Sequence, residues 1–264
     1  MSEHTAPPVL PFDVIANIID ILFNDDTKGL QYVKAFSLVC HSFLPLCRKH
    51  IFSCISIDIG EKHFRNDEAF GQLLLETPDI ARYVRKLKIC IQQSQHKFKC
   101  FLEPVSRQLT RLQSLTIFNS NPWYPIPWRQ LSSSTQRSLL NLMHLPTLTH
   151  LDVSRISSFP KSNLIVWANV KHLSVHDLDI IDDEMASSLL CRKPLKLQTL
   201  HISIKNPRLI LEATCSDGRP FLDLTGLEKV SIDLAKASGA IPIIKDIFRR
   251  IQRLRDVSLR IDGM

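Results

Sequence analysis

One spacing of apolar residues returns seven times along the chain, with apolar positions three, three and then two residues apart. The last two positions of each copy alternate with polar residues, which is the period of a strand buried on one face. The copies start at Ala81, Leu109, Leu145, Trp167, Pro194, Leu224 and Ile251. We therefore predict seven strands, none of which can bury its apolar side alone.

The distance between copies indicates how these strands assemble. The third apolar position of each copy falls at residues 87, 115, 151, 173, 200, 230 and 257, so the steps are 28, 36, 22, 27, 30 and 27 residues. These steps bracket the period of leucine-rich repeats, whose stacked strands share one continuous core. We predict an α/β leucine-rich-repeat solenoid over residues 53–264, with a parallel concave sheet, outer helices and a first strand around Ile55 and Ile57.

The last copy ends abruptly, because only Asp262, Gly263 and Met264 follow Ile261. Stacked repeats normally cover a terminal sheet edge with a capping element. Either a helix from elsewhere in the chain covers this edge, or the chain is a fragment of a longer protein, and we favour the second explanation.

Composition limits the class of protein. With 44% hydrophobic and 22% charged residues among 264, the chain is neither disordered nor fibrous. The first residues lack a basic stretch followed by an apolar core, and no run of about 18 apolar residues occurs, so we predict neither a signal peptide nor a membrane span. We expect a cytoplasmic or nuclear protein whose seven cysteines, which include no Cys-x-x-Cys pair, are reduced thiols.

The net charge of +7 raises the possibility of nucleic-acid binding. The charge is concentrated around Arg82–Lys88 and Arg249–Arg255, but no helix-turn-helix signature, zinc spacing or row of aromatic residues accompanies it. We favour solvated repeat surface as the explanation and an acidic protein partner as the second.

Residues 10–52 do not follow the repeat and are predicted to form three short helices after a flexible N-terminus at residues 1–9. The first helix should extend to Phe23 with one apolar stripe through Ile15 and Ile19. Val14, Ile18 and Ile21 form a second stripe beside it. A three-helix unit this small cannot cover both stripes, so the surplus predicts a partner.

These residues resemble a known family. An opening Leu10-Pro11, then Asp13-Val14 and Ile18, a polar loop, a later Ser37-Leu38-Val39-Cys40-His41-Ser42-Phe43 and a closing Ile51-Phe52 are similar to an F-box, with Phe43 at the position of the usual tryptophan. With the repeats, the whole chain resembles the F-box and leucine-rich-repeat proteins, particularly the irregular-repeat sets of mushroom-type fungi.

The resemblance implies a substrate-receptor subunit of a Skp-cullin-F-box ubiquitin ligase, in which the helices dock on the Skp adaptor and the repeats bind a target protein. The residues that match the adaptor-binding positions are Leu10, Pro11, Val14, Ile15, Ile18, Val39, Cys40 and Phe43. An alternative is that these residues only form the internal core of a capping bundle.

Alternation along the strands also predicts which polar side chains line the concave sheet. Four of the ten histidines fall there in three adjoining copies, and Asp152 lies among them, so we assign target binding to His150, Asp152, His172, His176 and His201. His150 and His172 should be near neighbours, with Asp152 and His201 flanking the intervening strand, because parallel strands lie about 4.8 Å apart. We prefer a protein-contact surface over a metal site, for which a flat ladder converges poorly, and over a catalytic site, which lacks an aligned nucleophile.

A loop with aromatic residues and the absence of catalytic motifs also bear on function. Trp123 and Tyr124 lie in a predicted protruding loop, where they are either contact anchors or folded back over the core. No Gly-x-Ser-x-Gly, phosphate-binding glycine loop or His-Glu-x-x-His is present, so we predict a non-enzymatic protein without a cofactor or metal. The alternatives to a ligase receptor are a repeat scaffold acting outside ubiquitination and, less favoured, a basic nucleic-acid binder.

Overall fold

The computed structural model describes residues 11–24, 28–59, 64–92, 102–121, 123–182, 193–203, 208–215, 217–233, 245 and 247–260. Leu10, one of the predicted adaptor-binding residues, lies outside these ranges. The chain divides into two compact units between Cys54 and Ile55. The first unit is helical and the second is built on a large parallel sheet, so the predicted α/β class is confirmed.

The helical unit contains three α-helices, α1 (Phe12–Phe23), α2 (Gly29–Phe36) and α3 (Leu44–Ile51), with a 3-10 turn at His41–Phe43 before α3. Pro11 immediately precedes α1, where its missing N–H costs nothing. Gly29 lets α2 begin against the end of α1, because a Cβ there would collide with the backbone oxygens of Leu22 and Phe23. The core of this unit is small and centres on Ile19, Val33 and Cys47.

Eight strands form one sheet in which each strand lies beside the next long strand of the chain. From one edge to the other they are β1 (Cys54–Ile59), β2 (Lys86–Ile91), β3 (Ser114–Asn119), β5 (His150–Ser154), β8 (His172–His176), β11 (Thr199–Ser203), β13 (Lys229–Asp233) and β14 (Asp256–Arg260). The six pairings from β2 to β14 are parallel. All seven predicted copies supply a strand, and the predicted additional strand at Ile55 and Ile57 is β1.

Short two-residue ladders lie beside this sheet. They pair β4 (Ile126–Pro127) with β6 (Ile156–Ser157), β7 (Phe159–Pro160) with β9 (Ile180–Ile181), and β10 (Leu195–Lys196) with β12 (Leu222–Asp223). Arg155 and Asp177, which follow β5 and β8, have left-handed φ values of 58° and 47°. These two residues therefore turn the chain sharply where it leaves the sheet.

Between the strands the chain forms helices at α4 (Phe64–Glu76), α5 (Leu102–Gln108), α6 (Ser133–Met143) and α7 (Arg208–Leu211). Ser132 caps α6 by accepting a hydrogen bond from the Thr135 amide at 3.2 Å. The segments between strands at residues 182–190 and 240–250, for which the sequence left helical and loose structure open, lie largely outside the described residues. None of the described helices is both long and apolar enough to cross a bilayer.

The register aligns the apolar positions of successive copies into continuous rows. Leu87, Leu115, Leu151, Leu173, Leu200 and Val230 are paired across the sheet in one row, and all are buried. The fourth positions form a parallel row from Ile89 to Ile232. The repeat spacing therefore predicts the buried rows correctly for the first six copies, whereas Val257 and Leu259 of the last copy continue the rows but are 43% and 42% exposed.

Candidate functional site

The helical unit exposes an unusual amount of apolar surface for its size. Leu38 and Val39, in the turn after α2, are 87% and 68% exposed, and Ile21 on α1 is 70% exposed. Among the described residues of this unit, the exposed large apolar side chains are Phe12, Val14, Ile18, Ile21, Leu30, Tyr32, Leu38 and Val39. We call these eight residues the apolar surface set.

Helix α1 carries one apolar stripe that packs against the core and a second that is exposed. Ile15 and Phe23 pack against the core residue Ile19, whereas Val14, Ile18 and Ile21 are exposed. The exposed three are four and three residues apart and so share one face of the helix. The second stripe predicted from the sequence is therefore present and is left uncovered.

The structure separates the predicted adaptor-binding residues into two groups. Pro11, Val14, Ile18, Val39 and Cys40 are exposed. Ile15 and Phe43 instead pack against the core, and the Phe43 ring stacks on Phe36 with centroids 5.2 Å apart. These two residues are half-buried, so they support the bundle and have only part of their surface available to a partner.

Leu38 and Ile21 are not among the predicted binding residues, although they are the most exposed large apolar side chains in the described part of the unit. A signal was present for Ile21, which belongs to the second stripe of α1. Leu38 carries no periodic signal, because it lies in the turn after α2, where helical spacing does not apply.

A polar layer extends over the open face of the sheet, opposite the apolar rows. Its middle row pairs Lys88, Thr116, Asp152, Ser174, His201, Ser231 and Ser258 across seven strands. His150 and His172 are directly paired in the row before it, and His176 lies in the row after it. All five predicted target-binding residues are thus on one face, with Asp152 and His201 on either side of Ser174 as the alternation predicts.

The four histidines form two pairs of rings. The rings of His150 and His172 stack at 4.0 Å between centroids with an interplanar angle of 18°. The rings of His176 and His201 lie 4.3 Å apart at 39°. We call these the first and second histidine pairs.

Hydroxyl groups orient three of these rings. His150 Nδ1 shares a hydrogen bond with Thr149 Oγ1 and His172 Nδ1 with Thr199 Oγ1, both at 2.9 Å. His176 Nε2 lies 2.8 Å from Ser174 Oγ. The rings are therefore held in place before any ligand binds.

Burial disfavours protonation of three of these imidazoles. It lowers the pKa of His150, and the charge of Lys86 lowers it further. Burial likewise lowers the pKa of His172 and His201. The charge of the neighbouring histidine in each pair lowers the pKa further. At neutral pH His150, His172 and His201 consequently present uncharged aromatic surface.

Asp152, unlike the histidines on this face, has a buried polar atom without a hydrogen-bond partner in the described part of the chain. Its Oδ1 atom is buried and accepts no hydrogen bond from the described residues, and none of the ion pairs between those residues includes it. Burial raises the pKa of Asp152, while the attraction of His201 partly opposes that rise. The carboxylate is therefore poorly satisfied by the protein itself.

Two grooves of about 430 and 820 Å³ lie on the open face. The first is lined by the first histidine pair and the second by His176 and Arg155, and both are lined by Asp152 and His201. Within the described part of the chain, no group of three or more His, Cys, Asp or Glu side chains is arranged to hold a metal ion. The face can therefore offer hydrogen bonds, several carboxylates and aromatic surface to a ligand.

The chain around the predicted loop at Trp123 contains both exposed aromatic residues and one that is folded back into the core. Trp123 and Tyr124 are exposed, and Asn121 Oδ1 accepts hydrogen bonds from both of their amides. Trp128 instead is buried and meets the ring of Phe159 edge-on at 4.9 Å. Trp123 thus fits a contact anchor and Trp128 a core residue.

No protein-family model, curated protein or solved structure matches this chain.

Proposed function

We propose that the chain is the substrate-receptor subunit of a Skp-cullin-F-box ubiquitin ligase. In this proposal residues 10–52 are an F-box that docks on the Skp adaptor, and residues 53–264 are a leucine-rich-repeat solenoid that binds a target protein. The chain performs no catalysis of its own and acts by bringing the target to the ligase.

The observation that carries the proposal is the apolar surface set. Within the described part of this unit, eight large apolar side chains are exposed and three apolar residues form the buried core. Exposed apolar area on this scale is costly in water and typical of surfaces that bind other proteins. Val14, Ile18 and Val39 belong to this set and also match F-box positions in the sequence.

The sheet unit supports the second half of the proposal. Its open face is polar and partly shielded, and its rings are held by one hydrogen bond between β8 and β11 and by two between residues close in sequence, as a recognition surface should be. Carboxylates outnumber basic side chains in both grooves of this face, so a nucleic-acid ligand is disfavoured. The first groove has Asp152 and Asp256 against Lys229, and the second has Asp152, Asp177 and Asp233 against Lys88 and Arg155.

The test is co-expression of the full chain with a Skp-type adaptor followed by size-exclusion chromatography. We expect a stable complex for the unaltered chain and at least a tenfold loss of affinity for the double variant Leu38→Asp, Val39→Asp, because two charges would enter an apolar contact. Both side chains are exposed in the free protein, so the variant should fold normally.

The matched control is Leu75→Asp on α4, a leucine that is 56% exposed outside the apolar surface set. It should bind the adaptor as the unaltered chain does. Absence of any adaptor complex with the unaltered chain would refute the ligase proposal and leave a repeat scaffold that acts outside ubiquitination.

A further inference from the structure

The unsatisfied carboxylate of Asp152 indicates what the open face binds. Among the described buried side-chain atoms, three accept or donate no hydrogen bond: Gln108 Oε1, Trp167 Nε1 and Asp152 Oδ1. Of these, only the Asp152 atom belongs to an ionisable group and lines the grooves of the open face. A buried carboxylate oxygen without a donor is costly, and a ligand that brings a donor removes that cost.

The neighbours of Asp152 do not supply the missing donor. Thr116 and Ser174 are paired with it in the strand register. The Ser174 hydroxyl is hydrogen-bonded to His176. His201 on the far side of Ser174 attracts the carboxylate electrostatically but has its own pKa lowered by burial. The position therefore favours an incoming group that is both a donor and a cation.

The histidine pairs narrow the choice of cation. Asp152 follows His150 by two residues on β5, so the first histidine pair lies beside it on the same face, and His201 of the second pair lies across β8. Neutral aromatic rings favour a planar, delocalised cation that can stack on them. A guanidinium also donates through a fork that matches a carboxylate, whereas an ammonium is a compact and strongly hydrated point charge.

Other ligand classes fit the face less well. A phosphate or carboxylate would be repelled by Asp152, which lines both grooves. Carboxylates outnumber cations in each, with Asp256 against Lys229 in the first and Asp177 and Asp233 against Lys88 and Arg155 in the second. A metal ion would need convergent ligands, and the described residues provide no such group of three. An apolar side chain would leave the Asp152 oxygen buried and still without a donor.

We propose that Asp152 and the two histidine pairs form a receptor for the guanidinium group of an arginine in the target protein. The proposal rests on the proposed function, since it names the chemistry of the target that the sheet unit recruits. The carboxylate accepts the guanidinium N–H groups, and the neutral imidazoles flank the cation in the grooves of the open face.

The experiment compares two pentapeptides on the full chain, acetyl-Ala-Ala-Arg-Ala-Ala-amide and its citrulline counterpart. Citrulline keeps the shape and most of the donors of arginine but carries no charge. Binding is followed by NMR of the histidine ring signals and by titration to saturation. We expect the arginine peptide to shift the rings of His150, His172 and His201, and to bind at least tenfold more tightly than the citrulline peptide.

Asp152→Asn should reduce arginine-peptide binding at least tenfold and abolish the preference over citrulline. Asp79→Asn, which removes an exposed carboxylate paired with Arg82 and remote in sequence from the open-face rows, is the matched control and should bind as the unaltered chain does. A thermal melt of each variant verifies folding, and the citrulline comparison on the unaltered chain does not depend on any substitution.

Equal binding of the two peptides, or unchanged binding by Asp152→Asn, would overturn the inference. The adaptor experiment is independent of this result. An adaptor complex without arginine preference would leave the ligase proposal standing and refute the receptor for arginine. An arginine preference without an adaptor complex would support the receptor for arginine and refute the ligase proposal.

Discussion

In the sheet unit, side chains alternate along each strand between the core and the exposed face, so the two sets of residues are separate. In the helical unit, some residues belong both to the core and to the exposed surface. On β3 the buried Leu115 and the open-face Thr116 are adjacent residues that point to opposite sides of the sheet. On α1 the two stripes are neighbours around one narrow cylinder, and Ile15 contributes to the core while it retains exposed surface.

This difference determines how each surface can be studied. Open-face residues of the sheet can be replaced with little effect on its core, so a loss of binding there is a direct result. In the helical unit, only residues such as Leu38 and Val39 allow that separation, because Ile15 and Phe43 serve both purposes. The two surfaces also differ in chemistry, one being apolar and the other polar with an unsatisfied carboxylate.

The largest expected effect tests the separation within the sheet. Leu115→Ala should lower the free energy of unfolding by about 3 kcal/mol, because the fully buried side chain leaves a cavity in the continuous row. Thr116→Ala, one residue on, should change it by less than about 0.5 kcal/mol. Urea unfolding of both variants provides the measurement, and similar losses for the two would show that the faces are not separable.

A smaller effect distinguishes the chemistry of the two surfaces through salt. Adaptor binding should change less than about twofold between 50 and 500 mM NaCl, because the apolar surface set carries no charge. Binding of the arginine peptide should weaken about threefold over the same range, since Asp152 is partly accessible and its attraction is screened. A steep salt dependence of the adaptor complex would indicate that charged residues, and not the apolar set, dominate that contact.

The smallest expected effect is the dependence of the free energy of unfolding on pH, which we predict for the sheet unit. The pKa values of His150, His172 and His201 are lowered by burial, so the folded protein binds fewer protons than the unfolded chain. Its free energy of unfolding should therefore be undiminished above the ordinary histidine pKa of about 6.5 and should fall as the pH drops below that value. The double variant His172→Gln, His201→Gln should lose less stability than the unaltered chain between pH 7.5 and 5.5.

Urea midpoints at the two pH values measure this change. His144→Gln, an exposed histidine at the end of α6, is the control and should behave as the unaltered chain does. An equal or larger loss for the double variant would contradict the role assigned to the histidine pairs.

Much of the sheet unit could be predicted from the sequence because its signal is local and repeated. The spacing that ends in Leu115 and Ile117 recurs in each copy, and a strand can bury only alternate residues, so the rows and the position of His150 beside His172 follow from counting. The helical unit was less predictable, since three short helices offer few turns over which a stripe can be averaged.

The sequence by itself determined the seven strands, the apolar rows, the excess apolar stripe of α1 and the placement of Asp152 with four histidines on one face. Only the tertiary structure decided which apolar residues are covered, because burial depends on contacts between distant segments. It placed Trp128 in the core and left Trp123 exposed, and it turned Phe43 inward against Phe36. It also left Asp152 Oδ1 without a donor, since hydrogen bonding depends on side-chain positions that spacing does not fix.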